Sequence, residues 1–302
     1  MTTVELVKNF EGWAAQNLAK RSMEHYARYF KKFLDVAGNI DLASVKAEHL
    51  TSWARKWHEY QAIQRLFNFA RDWLEVLPRN PFGKIKLPRL GERKRIMTPR
   101  QMARSLRSAR HDFRAYLLAL RETIARPQEV RALQWEWIET PPMAATFETS
   151  LAAGHAFFVL DEYKARRRRS DPNGKRVIPI SPRLGRCILR LAARRPGRHG
   201  FVFQNFGRKP WSKEMLRCRW RRLRKRMGLA GRDHRGERLV CYTFRHSVAT
   251  LATAIGVKDR TLADLMGHTS TRTTARYQHL DAPHLTEAAN RISQFVRRGK
   301  KT

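Results

Sequence analysis

Acidic residues are scarce in this chain: 26 Asp and Glu stand against 62 Lys and Arg over 302 residues, a formal net charge of +36. A deficit of that size leaves the folded chain repelling itself, and a polyanion is the partner that neutralises it most directly. The bland alternative, a basic face kept only for solubility, does not require a pI near 11.4. Cysteine is also rare. Cys187, Cys218 and Cys241 are an odd number with no CxxC pair, which excludes a disulfide framework and a cysteine zinc site and fits a reducing compartment. No apolar run approaches the ~20 residues that cross a bilayer. The N-terminal Met1-Thr2-Thr3-Val4-Glu5 lacks the basic and apolar regions of a secretory signal. A cytoplasmic location, on the nucleoid in a bacterium, is therefore expected, with no membrane partner. No internal repeat is found.

Hydrophobic residues make up 42% of the sequence, enough for a buried core, and the length fits two domains. Residues 1–87 read as a helical domain. Met23, Tyr26, Phe30, Phe33 and Ala37 recur at helical spacing, opening at Ser22 as N-cap and closing at Gly38. Leu50, Trp53 and Trp57 form a second stripe, and Ile63, Leu66, Phe67, Ala70, Trp73 and Leu74 a third that ends by Pro78. Their spacing matches one buried face, so core is preferred over base-stacking platforms. Residues 88–97, within a breaker-rich and charged stretch that begins at Pro78, read as a linker.

A second domain, 98–296, starts with Thr98 as N-cap, Pro99 at N1 and Gln101 at N3; residues 297–302 form a basic tail. Residues 1–97 hold 18 basic and 10 acidic groups, a net +8, and the rest of the chain holds 44 and 16, a net +28. The field therefore lies mainly on the second domain. Its pattern is mainly α with a small antiparallel β-hairpin: Ala156–Leu160 and Arg176–Ile180 as strands, with turn chemistry at Asp171-Pro172-Asn173-Gly174. Helical patterns resume around 183–193, 212–226, 244–255, 258–266 and 284–297.

The second domain also carries the residues that phosphodiester chemistry needs. Attack on a phosphodiester takes a nucleophile in line, cations on the non-bridging oxygens and an acid for the leaving oxygen. Tyr277 is the candidate nucleophile, the one tyrosine beyond Tyr242. Arg126 and Arg245 are candidate cations, because a guanidinium fork matches two phosphate oxygens at once. Arg126 lies between an apolar helix (Phe113, Tyr116, Leu117, Leu120) and an apolar segment (Val130, Leu133, Trp135), which predicts a partly buried turn, and Glu129 stands three residues on as a brace. Lys164 is a candidate proton donor; Arg166, Arg167, Arg168, Arg169 and Lys175 compete for that role or grip the backbone, as does the whole run up to Arg176. Arg217, Arg221 and Arg224 lie on a basic amphipathic helix that fits either a DNA groove or its phosphates. His268 has no second His, Cys or carboxylate at ligand spacing, so no metal and no cofactor are expected.

Tyr242-Thr243-Phe244-Arg245-His246, Leu265-Met266-Gly267-His268, Ala275-Arg276-Tyr277 and Ala125-Arg126-Pro127-Gln128-Glu129-Val130 resemble the boxes of the tyrosine recombinase (phage integrase) family. The resemblance implies a helical core-binding (SAM-like) domain followed by a tyrosine-recombinase catalytic domain, closing as a C-shaped clamp on double-stranded DNA. By the same resemblance Arg126 and Arg245 are the recombinase arginines and Lys164 the hairpin lysine that protonates the leaving 5′ oxygen. His268 hydrogen-bonds the phosphate, and Tyr277 forms a 3′-phosphotyrosyl link without ATP. The family's histidine three residues before the second arginine is replaced by Tyr242, whose phenol (pKa ~10) donates a hydrogen bond but is a poorer base. Residues 139–155 look like an insertion, and no arm-binding domain is expected before residue 1. The function implied is site-specific integration, excision or transposition of a mobile element by a homo-tetramer on paired sites, monomeric without DNA. The alternatives are a type IB topoisomerase-like relaxing enzyme and a catalytically silent DNA-binding protein.

Overall fold

The computed structural model describes residues 1–86, 88, 95–141, 146–160, 175–195, 197–234, 236–267 and 283–298. The chain falls into two compact units, Met1–Glu92 and Arg93–Thr302.

In the first unit Thr2 caps α1 (Thr3–Asn17): its Oγ1 accepts from the Glu5 amide at 3.3 Å, and Glu5 Oε2 accepts from the Thr2 amide at 2.8 Å. α2 (Lys20–Ala37) closes at Gly38, φ +72, but opens two residues before Ser22. The Ser22 and Met23 amides both reach the Ala19 carbonyl, so Ser22 lies inside the first turn rather than capping it. The stripe Leu50, Trp53, Trp57 is not one helix. α3 (Glu48–Thr51) stops, the Glu59 carboxylate takes the Arg55 and Lys56 amides at 2.8 and 2.9 Å, and α4 (Trp57–Asp72) starts afresh. Trp73, placed on the third stripe, falls past the end of α4 and is 66% exposed. Leu74 also lies past α4 and is half-buried, while Ile63, Leu66, Phe67 and Ala70 are core. Phe33, Phe67 and Phe82 are fully buried and meet edge to face, with centroids 4.8–6.0 Å apart.

The second unit opens with α5 (Pro99–Ser108). The box read from the sequence is present there: Thr98 Oγ1 accepts from the Gln101 amide and Gln101 Oε1 from the Thr98 amide. α6 (His111–Thr123) follows, buried from Ala115 to Leu117 and from Ala119 to Thr123, so it runs through the core. α7 (Pro127–Ala132) leads to β1 (Ile138–Glu139), a two-residue strand too short to show alternation in the sequence. α8 (Phe147–Ala153) occupies the stretch read as an insertion. β2 (Phe157–Leu160) and β3 (Arg176–Pro179) pair antiparallel, with Phe158 opposite Ile178, and the sheet order is β1-β2-β3. The turn at Asp171–Gly174 lies outside the described residues.

α9 (Pro182–Ala193), α10 (Lys213–Arg226), α11 (Cys241–Ala254) and α12 (Asp259–Met266) complete the body. α13 (Pro283–Arg298) buries Ala288, Ala289, Ile292 and Val296 against its own unit, packing on α11, α12 and α6. Phe295, on the same helix, is 40% exposed.

Gly185 on α9 lies against α8 so closely that a Cβ there would stand 1.7 Å from the Leu151 carbonyl oxygen. A backbone oxygen cannot swing aside as a side chain does. Gly185→Ala should therefore destabilise the protein by about 2 kcal/mol, read as a lower denaturation midpoint at unchanged denaturant slope.

Candidate active site

The site begins where α6 ends. Ile124 adopts φ +51, a left-handed conformation that a β-branched residue rarely takes. That turn re-aims the chain so that Arg126 becomes the residue before α7, with Pro127 at the first helical position. Glu129 braces it twice: Oε2 accepts from the Arg126 amide and Oε1 from Arg126 Nη1, both at 2.8 Å. The Arg126 side chain is 17% exposed.

α11 starts earlier than the pattern at 244 suggests, because Thr243 Oγ1 accepts from the Val240 amide at 2.9 Å and sets the first turn. Tyr242 and Arg245 therefore share one helix, three residues apart and on the same face. The Tyr242 ring meets His246 edge-on at 4.7 Å. Arg245 is fully buried. Its Nη1 donates to the Ile124 carbonyl at 2.6 Å, which anchors the strained turn.

α12 ends at Gly267, φ +63, and its last carbonyls are each taken by a different arginine. Arg176 Nη2 donates to Leu265 O at 3.1 Å, Arg245 Nη2 to Met266 O at 2.6 Å, and Arg126 Nη2 to Gly267 O at 3.1 Å. Three guanidiniums thus converge on one helix C-terminus, where unsatisfied carbonyls and the negative end of the helix dipole favour cations. Arg176 also stands 3.5 Å from Glu129 Oε2.

Among the described residues the local charge is strongly positive, with the Glu129 carboxylate against three guanidiniums. Burial pushes the Glu129 carboxyl up, but Arg176 and the amide and guanidinium of Arg126 outweigh it and hold it below the ordinary 4.5. Burial, aided by the charges of Arg126 and Arg176 and opposed by Tyr242, pulls Arg245 down to about 10. Because the Glu129 value is depressed in the folded state, its ion pairs contribute stability in full above pH 4.5, and that contribution is lost as pH falls through the native value. Glu129→Gln lacks it at every pH. The stability gap between the two proteins should narrow on acidification, which urea unfolding at a series of pH values would measure.

Among the sequence candidates the fold brings together Arg126, Arg245 and Tyr242. Tyr277, His268, Lys164, Arg166, Arg167, Arg168 and Arg169 lie outside the described residues. Lys175, Arg217 and Arg221 are exposed. Arg224 is not: it is 8% exposed, one helical turn beyond the core residue Trp220, and burial together with Arg238 and Arg95 lowers its pKa. It therefore does not present a DNA-facing charge in this structure. Arg176, counted with the backbone-gripping run, is likewise 2% exposed and turned inward. The available signal was the strand period, which puts Arg176 on the same face as Ile178 and Ile180. Among the described residues no group of three His, Cys, Asp or Glu is placed to hold a metal ion, and no helix is long and apolar enough to cross a membrane.

Several solved structures share this architecture. A lambda integrase dimer bound to a core site superposes with a TM-score of 0.65 at 14% identity, covering 89% of this chain and 96% of that one. The Tn1549 transposon integrase in complex with transposon right end DNA gives 0.67 at 17% identity, covering 89% and 92%. A lambda integrase tetramer on a Holliday junction gives 0.67 at 13%, covering 92% and 80%. At these identities the likeness establishes the fold. No curated protein matches the sequence significantly. The model of the phage integrase family matches residues 94–284, from just before α5 into α13. On that match, which spans more than half of the sequence, the chain belongs to the phage integrase family.

Proposed function

We propose that this protein is a site-specific DNA recombinase that cuts and rejoins strands through a 3′-phosphotyrosyl intermediate, moving a mobile element by integration, excision or transposition. The observation that carries the reading is the convergence of Arg126, Arg176 and Arg245 on the end of α12 beside the carboxylate of Glu129. The guanidiniums donate there to carbonyl oxygens, and a phosphodiester offers the same acceptor chemistry with a full negative charge. Such a cluster gains from an anion that can be held and then attacked.

In this reading Tyr277 attacks the scissile phosphorus. The O–P bond to the tyrosine forms as the P–O5′ bond breaks, the phenolic proton passes to solvent water, and Lys164 gives a proton to the leaving 5′ oxygen. Arg126 and Arg245 hold the non-bridging oxygens, with Tyr242 and His268 donating hydrogen bonds. The free 5′-hydroxyl of a partner strand reverses the step, so no nucleotide is consumed. Double-stranded DNA is the partner, the exposed Arg217, Arg221 and Lys175 meet its phosphates, and four copies assemble on paired sites.

Nicked duplexes selected from a random-sequence pool by binding to the protein supply the test. Incubated with wild type and run on a denaturing gel, they should give a covalent protein–DNA band that Tyr277→Phe lacks. Tight binding without any adduct would overturn the enzymatic reading and leave a silent DNA-binding protein.

A further inference from the structure

The third arginine has no place in the chemistry just described. Arg176 opens β3, opposite Leu160 at the end of β2, and so stands at the base of the connection that carries Lys164. Its side chain is 2% exposed. It touches two parts of the arginine cluster at once. Nη2 donates to Leu265 O in the last turn of α12 and approaches Glu129 Oε2, the same oxygen that accepts from the Arg126 amide. Its other terminal nitrogen fills the space beside Gly267, where a Cβ would stand 1.6 Å from Nη1.

Burying a guanidinium and a carboxylate is costly unless each has well-placed partners. The cost here is met at the junction of three segments, β3, α7 and the end of α12, none adjacent in sequence. We propose that Arg176 is a positioning residue for phosphodiester cleavage: a buried strut that keeps Glu129 ionised and in place, and through Glu129 and the Gly267 turn fixes the guanidinium of Arg126. The inference rests on the recombinase reading above and deepens it, since Arg176 acts on Arg126 without touching DNA.

Among the described residues, the charged groups that act on Glu129 are Arg126 on its own element, Arg176 from β3 and Arg245 from α11, while the end of α12 offers main-chain carbonyls to the same arginines. Removing Arg176 leaves the upward push of burial on the Glu129 carboxyl opposed by Arg126 alone among its ion-pair partners. Protonated Glu129 would release Arg126 Nη1. Arg176→Met should therefore do two things. It should slow single-turnover adduct formation roughly 30-fold near neutral pH. It should also add an acid limb to the pH profile, a further fall in rate on acidification that wild type does not show, because the Glu129 carboxyl then takes up a proton more readily. Arg176→Lys puts a point charge beside Glu129 but not the fork, so its rate should be reduced without the acid limb of Arg176→Met.

The full-length protein and the selected nicked duplexes are used throughout, with DNA affinity and denaturation midpoint measured in parallel. A loss of rate that parallels the loss of stability, with an unchanged pH profile in Arg176→Met, would mean that Arg176 is only a structural residue and would overturn the proposal. Should Arg176→Met fail to fold, the Arg176→Lys variant decides: wild-type rate in a protein of wild-type DNA affinity sinks the idea, and a rate lowered at least tenfold supports it. If wild type itself forms no adduct, the recombinase reading fails and this inference falls with it, an outcome distinct from wild-type activity with indifferent Arg176 variants.

Discussion

Arg245→Lys protein is expected to form the covalent adduct roughly a hundred- to a thousandfold more slowly than wild type, while still folding and binding DNA. Arg245 has no exposed surface. Its two terminal nitrogens bridge Ile124 O and Met266 O, each at 2.6 Å, and so tie the strained turn before Arg126 to the end of α12. A lysine ammonium is a point donor on a flexible stem and cannot span both carbonyls in a fixed plane. It also starts from a lower ordinary pKa, ~10.4. The burial that brings Arg245 down to about 10 would push a lysine toward neutral pH, so part of the variant population would lose its charge.

The Arg245→Lys rate should accordingly recover in part as pH is lowered from 8.5 to 6.5, where the ammonium reforms. Arg245→Met should show a similar or larger loss with no such recovery. Single-turnover adduct formation over that range checks both statements. A lysine variant within threefold of wild type at every pH would mean that the fork of Arg245 is not needed for cleavage.

Gly267→Ala should cost about 4 kcal/mol of stability, from two separable causes. One is backbone strain: φ +63 is left-handed, worth ~1 kcal/mol or more to any residue with a Cβ. The other is steric. The new methyl would stand 1.6 Å from Arg176 Nη1 and 2.5 Å from its Cζ, and the guanidinium is held by Leu265 O and Glu129 and has no exposed space to enter. Displacing it costs ~3 kcal/mol by overpacking. A double-mutant cycle separates the two: in an Arg176→Ala background Gly267→Ala should cost only ~1 kcal/mol, the strain alone. Equal costs in both backgrounds, measured by urea denaturation, would show that Arg176 does not occupy the space beside Gly267 in solution.

How much of this was legible in advance can be judged residue by residue. The Glu129 brace was readable because three-residue spacing at a helix start brings the two side chains together, whatever the rest of the fold does. The cap at Thr98, the stop at Gly38 and the later helices were readable for the same reason: they are fixed by neighbours within about a turn. Ser22 and the Leu50–Trp57 stripe misled because an apolar spacing can persist across a break, and Glu59 holding two upstream amides restarts the helix in a way that apolar periodicity does not register. Arg224 misled because, in a helix with six arginines between positions 217 and 226, charge hides which one is buried.

The sequence by itself determined the charge, the mainly helical pattern with its small hairpin, and the boxes that relate this chain to the phage integrase family, since composition and short-range spacing need no long-range contacts. Only the tertiary structure decided that Arg126, Arg176 and Arg245 meet on three successive carbonyls at the end of α12, and that α13 packs on its own unit. Each of those facts joins segments tens to more than a hundred residues apart. Their pairing is fixed by which buried donors find which buried acceptors once the core has closed, and no local pattern encodes that choice.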